Sequence, residues 1–403
     1  MLEIKPIFNS LLRSKAGAIM LLIQIAITTA IVSNAAFIAK DRIDFLTQET
    51  GYPEDEIFSF TTMTFDKELN VTQKFEETEI MLRNIPGVKN AGLFNAVPLS
   101  GSGSAGGLRL KPASETESGQ DVRAAYLLAD ENALDTLGIN LIEGRNFRSD
   151  EVIMSPRRDV FPEVVIVTKT LALELFPEGN ALGQTVYFGV QPLKVIGITE
   201  RMKSAWLKDS RPDNVSIMPF VGASMFQKII VRTEPEQRAA IMRQIEDLMI
   251  QDHNKRVIIG LQGMDEDKRE NNSSDILMLR MLITLIVVLV LITGLGIFGL
   301  TVFNINKRTK QIGTRRALGA RKSDIVRYFL IENAIICTVG IALGSIAAIV
   351  MGQFLLENYS MPALDSIYVF ITAVFVFIAS LLSVVMPASK AANISPSIAT
   401  RSI

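Results

Sequence analysis

Few residues in this chain have the type and spacing that catalysis needs. His253 is the only histidine. It sits in a polar Gln251-Asp252-His253-Asn254 turn, has no companion for a metal site or a Ser-His-Asp arrangement, and reads as an exposed turn residue. Cys337 is the only cysteine, so no intramolecular disulfide can form in any compartment. Gly101-Ser102-Gly103-Ser104-Ala105-Gly106 spells GxGxxG, but a dinucleotide site needs a helix to open there and meet the pyrophosphate. Leu108-Arg109-Leu110-Lys111-Pro112 reads instead as strand or loop, so the run is expected to be a flexible hinge. Trp206 reads as a packed anchor in preference to a partner contact. No phosphate-binding G-x-x-x-x-G-K-[ST] occurs. The chain therefore reads as a non-catalytic protein that binds no cofactor and no metal, and its net charge of -1 argues against a nucleic-acid partner.

What remains is a concentration of positive charge. Lys307-Arg308-Thr309-Lys310-Gln311-Ile312-Gly313-Thr314-Arg315-Arg316-Ala317-Leu318-Gly319-Ala320-Arg321 is followed by Lys322 and Arg327 against a single acid, Asp324. Taken alone, such a run is an orientation signal beside a membrane. Its pattern predicts more: Gly319 ends one short helix, and Ser323, a plausible N-cap, begins the next. A helix-break-helix rooted in two membrane spans makes a lever.

The elements that root it are apolar. Hydrophobic residues make up 48% of the sequence and charged residues 21%, so the two classes must be segregated along the chain. A helix rises about 1.5 Å per residue, and roughly 20 apolar residues cross a hydrocarbon core of about 30 Å. Residues 16–39, 276–303, 329–354 and 367–385 meet that length. The first follows a basic lead (Lys5, Arg13, Lys15) and ends near Ser33-Asn34-Ala35-Ala36, as a cleaved signal peptide would. Its apolar run exceeds a signal core of about 7–15 residues, so it is expected to stay as an anchor. Basic residues mark 1–15, 304–328 and the 386–403 tail (Lys390, Arg401) as cytosolic, whereas 355–366 carries Glu357 and Asp365 without a base. Residues 40–275 then lie outside, with both termini in the cytosol.

Within the spans, Gly340, Gly344, Ala348 and Gly352 recur at four-residue spacing. They form either a packing face that lets helix backbones approach or simply the small residues common in membrane helices. Gly294 and Gly299 offer a complementary surface. No span has an ionisable residue near its middle. Arg280 and Glu332 lie at span ends, where snorkelling suffices, and this argues against a solute carrier.

The outer segment has globular texture, with related βαβ units at its two ends. One combines a strand at 56–61, a helix over 71–84 stopped by Pro86-Gly87, and a strand at 88–97. The other combines a strand at 228–232, a helix over 234–250 burying Ile241, Ile245 and Leu248, and a strand at 257–259. Between them, 163–167 and 193–198 read as strands and 170–176 as a short helix ended by Pro177, while the polar 111–122 stretch reads as a mobile loop.

The basic loop resembles that of the MacB/FtsX-like permease family of ABC transporters, whose members read roughly Glu-Arg-Thr-x-Glu-Ile-Gly-x-Arg-x-Ala-Leu-Gly-Ala. This chain matches at Arg308, Thr309, Ile312, Gly313, Arg315, Ala317, Leu318, Gly319 and Ala320, and these residues with Arg316 are the ones the resemblance implies for ATPase coupling. Lys307 and Gln311 stand where acids are usual, so any ion pair of those acids is lost or rebuilt. Leu137-Gly138-Ile139, Glu143 to Phe147, Val164 to Val167, Leu175-Phe176-Pro177, Leu182-Gly183, Val195-Ile196-Gly197 and Pro387-Ala388 to Pro396 resemble further family segments in the right order.

The resemblance implies a membrane all-α four-helix permease domain plus an extracytoplasmic α+β domain. The latter would combine a porter-like βαβ subdomain (about 52–104 and 221–265) with an inserted β-rich subdomain (about 105–220). It implies a dimer with a second copy or paralogue, membrane lipids as surroundings, and coupling through 304–328 to a separate cytosolic ATPase that would hold ATP and Mg. A periplasmic adaptor and an outer-membrane channel are further implied partners in the inner membrane of a cell that exports peptides, antibiotics or toxins. Lipoprotein release, control of a cell-wall hydrolase, and a non-transporting sensor or scaffold are the alternatives.

Overall fold

The computed structural model describes residues 15–66, 68–113, 121–156, 160–253, 255–359 and 361–394. Most of the 111–122 stretch, the basic lead before Lys15, Arg401 and Pro396 lie outside the described residues. The chain divides into two compact units, one of Met1–Thr47 with Ser274–Ile403 and one of Gln48–Ser273.

The first unit holds four helices long and apolar enough to cross a membrane. Span one is Lys15–Leu46, span two Ser273–Lys307, span three Lys322–Tyr359 and span four Ser366–Ala392, and a short helix, Thr309–Ala317, lies between spans two and three. Span one packs against the other three. Thr28 and Thr293 share a hydrogen bond at 2.7 Å, and Gln24 donates to the Ile292 carbonyl of span two at 3.0 Å. Phe37 meets Tyr368 of span four edge-on, with ring centroids 5.4 Å apart.

The small residues of span three all face inward. A Cβ on Gly340 would lie 2.9 Å from Ile25, and one on Gly344 would lie 2.6 Å from the Ala26 carbonyl oxygen. Ala348 is fully buried, and its carbonyl accepts from Asn34 at 3.0 Å. A Cβ on Gly352 would lie 3.2 Å from that same Asn34. These glycines let two backbones touch, and the dispersion contacts of close approach replace the hydrophobic drive that lipid cannot supply. The surface they pack on is span one. Gly294 meets Ser383 of span four and Gly299 meets nothing within 4 Å, so those two glycines are not the complement.

The outer unit is built on sheet pairings. Its strands are β1 (Ile57–Thr64), β2 (Val88–Phe94), β3 (Ser104–Arg109), β4 (Val122–Ala129), β5 (Leu141–Gly144), β6 (Ile153–Ser155), β7 (Val164–Thr168), β8 (Thr185–Phe188), β9 (Gln191–Thr199), β10 (Val215–Gly222), β11 (Phe226–Thr233) and β12 (Arg256–Gly263). Its helices are α1 (Val71–Arg83), α2 (Ala133–Leu137), α3 (Lys169–Leu175), α4 (Arg238–Asp252) and α5 (Met264–Asn271).

The two βαβ units interleave into one antiparallel sheet of order β12-β1-β11-β2. Alternation along the strands sends Phe58, Phe60, Ala91, Leu93, Ile229 and Val231 to one face, where α1 and α4 cover them with Phe75, Leu82, Ile241 and Ile245. Asn70 caps α1 by accepting from the Gln73 amide at 3.3 Å. Gly87, at φ +92°, turns the chain into β2.

The inserted part closes on itself. β4 pairs β3, β3 pairs β8, β8 pairs β9, β9 pairs β7, β7 pairs β10, and β10 returns to β4 in parallel. Closure leaves these strands no free edge and encloses a core that includes Val165, Val167, Val186, Leu193 and Val195 beneath α3. The sheet and the ring meet at one register pair, Phe94 with Ala129. Ser104 to Gly106 belong to β3, and Gly101, at φ +76°, makes a tight turn whose amide donates to the Ala205 carbonyl at 2.9 Å. The GxGxxG run is therefore a fixed turn entering a strand and not a flexible hinge. Trp206 is half-buried, and its ring lies against Gly103. His253 is half-buried too, with Nε2 3.5 Å from Asp66, and not the exposed residue its polar turn suggested.

Candidate functional site

The basic segment folds into an arm with a buried root and an exposed tip. Span two ends at Lys307, whose ammonium lies 5.1 Å from the Phe303 ring centroid. At Arg308 the backbone leaves the helix (φ -105°, ψ 12°), and the short helix starts at Thr309. The Thr309 hydroxyl bridges back to the carbonyls of Ile305 at 3.1 Å and Asn306 at 3.0 Å, which stiffens that one-residue break. Ile312 and Gly313 are buried, and Ile312 joins Ile305, Ile325, Phe329 and Ala388 in the apolar core of the bundle. Ala320 packs against the same cluster.

Beyond Ile312 the helix turns outward. Lys310, Gln311, Thr314, Arg315, Ala317, Leu318 and Gly319 are exposed. Leu318 is 84% exposed, a large apolar side chain held in the open among cations. Gly319 closes the helix in the left-handed region at φ +98°, and the Ala320 amide returns to the Arg315 carbonyl at 3.0 Å. The Arg316 guanidinium donates to the Ala320 carbonyl at 2.9 Å and locks the turn from outside. Span three then begins at Lys322. Its cap is Asp324, whose carboxylate accepts the Arg321 amide at 2.9 Å, so Ser323 does not fill the capping position its type suggested.

The root holds a residue that sequence reasoning misassigned. Glu332 is 5% exposed, and the Arg308 Nη1 donates to its two oxygens at 3.0 and 3.1 Å and to the Tyr328 hydroxyl at 3.3 Å. It lies ten residues inside span three and is a buried counter-ion, not a snorkelling end residue. Farther along the short helix, the Arg315 guanidinium covers the Tyr328 ring at 5.1 Å from its centroid. A spacing signal was available. Arg308 and Arg315 are seven apart, Tyr328 and Glu332 four apart, so each pair lies on one helix face.

This arm can transmit a push. It offers no nucleophile or general base, and no group of His, Cys, Asp or Glu that could hold a metal occurs among the described residues. Comparison with known proteins gives the arm its context. The MacB-like periplasmic core domain matches residues 18–248, and the FtsX-like permease C-terminal domain matches residues 283–396, which include the whole arm. The chain belongs to the MacB/FtsX-like ABC transporter permease family.

Among its relatives is the macrolide export ATP-binding/permease protein MacB of Acinetobacter baylyi, 29% identical over 65% of this chain and 40% of that protein. The protein of the same name from Chromobacterium violaceum is 26% identical over 68% of this chain and 43% of its own length. The chain thus spans less than half the length of these relatives. A crystal structure of the periplasmic region of MacB from Actinobacillus actinomycetemcomitans aligns with 56% of this chain and 97% of its own, at 16% identity and a TM-score of 0.35. With four membrane-capable helices and a MacB-like periplasmic core domain, this family member is an inner-membrane protein with a periplasmic domain.

Proposed function

We propose that this chain is the mechanotransmission subunit of an ABC transporter. In this reading the short basic helix is the handle of a separate cytosolic ATPase, and the outer domain is the part that ATP hydrolysis moves. The observation that carries it is the exposed Leu318 on a closed, rigid turn whose root is buried in the bundle. An apolar tip ringed by Arg315, Arg316 and Arg321 serves solubility poorly, and it suits insertion into a groove on a partner with an acidic rim. Family membership supports the same reading, and the basic arm favours a cytosolic side for it and for both termini.

Some buried polar side chains of the spans hydrogen-bond across helices, as in Thr28 with Thr293 and Asn333 with Ser380. Groups occupied in this way join helices and line no solute path, which favours export driven from the periplasmic side. The cargo would be peptides, antibiotics or toxins, and the interleaved sheet of the outer unit would be its porter-like part. The relatives' names, with ATP-binding and permease functions in one protein, support an ATPase partner here.

The test is Leu318→Asp in the full chain, purified in mild detergent with its ATPase. Leu318→Asp abolishes co-purification while leaving the permease monodisperse, and deletion of 307–321 also abolishes substrate-stimulated ATP hydrolysis. Retention of the ATPase by both variants refutes the handle.

A further inference from the structure

We infer that Glu332 is a positioning residue which clamps the short helix to span three, so that force on the arm enters the bundle through span three and is handed on to span one. The inference rests on the coupling role proposed above and names the path within it.

A helix that follows span two across a one-residue break could swing about Arg308. Three contacts oppose that. At the root, Arg308 is held by Glu332 and Tyr328; midway, Ile312 is buried against Ile325 and Phe329; near the tip, Arg315 lies on the Tyr328 ring. The four partners Glu332, Tyr328, Ile325 and Phe329 all belong to span three and fix one face of the helix at both ends, while Ile312 also shares its core with Ala388 of span four. The side chains of Arg308 and Glu332 are 15% and 6% exposed, so the pair has left water and neither charge can be released without leaving the other buried and uncompensated. That makes the root a rigid joint. Lys307, by contrast, lies over the Phe303 ring of its own helix, and among the described residues no ion pair or hydrogen bond of its ammonium ties it to another span.

From span three the load passes to span one, because the backbones touch there. The close approaches of Gly340 to the Ile25 side chain and the Leu22 carbonyl, and of Gly344 to the Ala26 backbone and Thr29 Cβ, leave little room to absorb a shift. Span one continues past the apolar region to Leu46, immediately before the outer unit begins at Gln48.

The clamp can be read without any partner. A nitroxide on Gln311→Cys, an exposed position, is placed in a Cys337→Ser background and the full chain is reconstituted in lipid nanodiscs. Glu332→Gln should raise the mobility of the label severalfold, on the scale expected when a buried ion pair loses one charge. The reversed pair Arg308→Glu with Glu332→Arg should return it toward the starting value, which a general loss of folding would not do. Unchanged mobility in Glu332→Gln overturns the clamp and leaves the handle intact. The second readout is ATP-driven protection of the outer domain from protease, in the complex with the co-purified ATPase. Glu332→Gln should retain the ATPase and its hydrolysis but lose most of the protection change. If Glu332→Gln still shows the full change, span three is not the path. If the unaltered chain retains no ATPase, the coupling role itself fails and the inference with it.

Discussion

The two units of this chain respond to opposite errors in volume. In the membrane unit, cohesion comes from the absence of side chains: Gly340, Gly344 and Gly352 let span three lie against its neighbours, and an added Cβ at each would crowd Ile25, the Ala26 carbonyl or Leu364. In the outer unit, cohesion comes from large apolar side chains, with Phe58, Phe60, Phe75 and Leu82 all essentially inaccessible. The difference follows from the solvent. Water expels apolar surface and rewards bulk in a core, while lipid is as apolar as leucine and rewards only close fit.

The sharpest way to break this comparison is to add volume where it should be intolerable. Gly344→Leu would place its Cβ 2.6 Å from the Ala26 carbonyl oxygen, where only backbone displacement gives relief. The expected outcome is loss of the assembled membrane unit, read as aggregation in size-exclusion chromatography. Gly299→Leu is the control. Nothing lies within 4 Å of its Cβ, so its effect should stay within about 0.5 kcal/mol. Equal behaviour of the two variants would show that span three makes no specific approach.

Removing volume should hurt the other unit. Phe58→Ala empties a fully buried position among Phe75, Leu93, Val231 and Ile245 and should cost about 3–5 kcal/mol by denaturant unfolding. A cost below about 1 kcal/mol would mean that the sheet does not depend on this core.

How much of this was legible in the sequence depended on the range of the interaction. The spans follow from continuous apolar length, and α1 and α4 from helical spacing, with α1 stopped at Pro86-Gly87. The arm's break at Gly319 was readable because only a left-handed residue closes a helix there. Closure of the β4–β10 pair was not: Ala125 meets Val215 across ninety residues of intervening chain, and no local pattern encodes it. Glu332 was misread for a related reason. At a span end, hydropathy treats a carboxylate as solvated, and only the folding back of the short helix brings Arg308 to it. Asp324 outcompeted Ser323 as the cap because a longer carboxylate reaches back to the Arg321 amide.

The last prediction concerns an acid that the outer unit buries beside a second acid, unlike the Arg308–Glu332 pair. Glu79 on α1 and Asp130 after β4 are 4% and 2% exposed. Asp130 accepts the amides of Leu93 at 3.0 Å and Asn132 at 2.8 Å. Burial, and then the hydrogen bond and charge of Asp130, push the Glu79 carboxyl from its ordinary 4.5 up to about 11, with Arg83 opposing and Glu131 reinforcing. Glu79 therefore holds its proton at neutral pH. Because the folded state binds that proton more tightly than the unfolded chain, the stability it contributes is complete below 4.5 and is lost as pH rises toward about 11. The slope for one proton is bounded by about 1.4 kcal/mol per pH unit. Glu79→Gln keeps the shape and a donor without the titration. At neutral pH it should raise stability, because the unfolded chain no longer gains by ionising at this position, and it should flatten the decline of the unfolding midpoint between pH 4.5 and about 11. A decline as steep in Glu79→Gln as in the unaltered chain would assign the alkaline sensitivity to other groups and leave Glu79 ionised. The two units would then share one rule for buried acids.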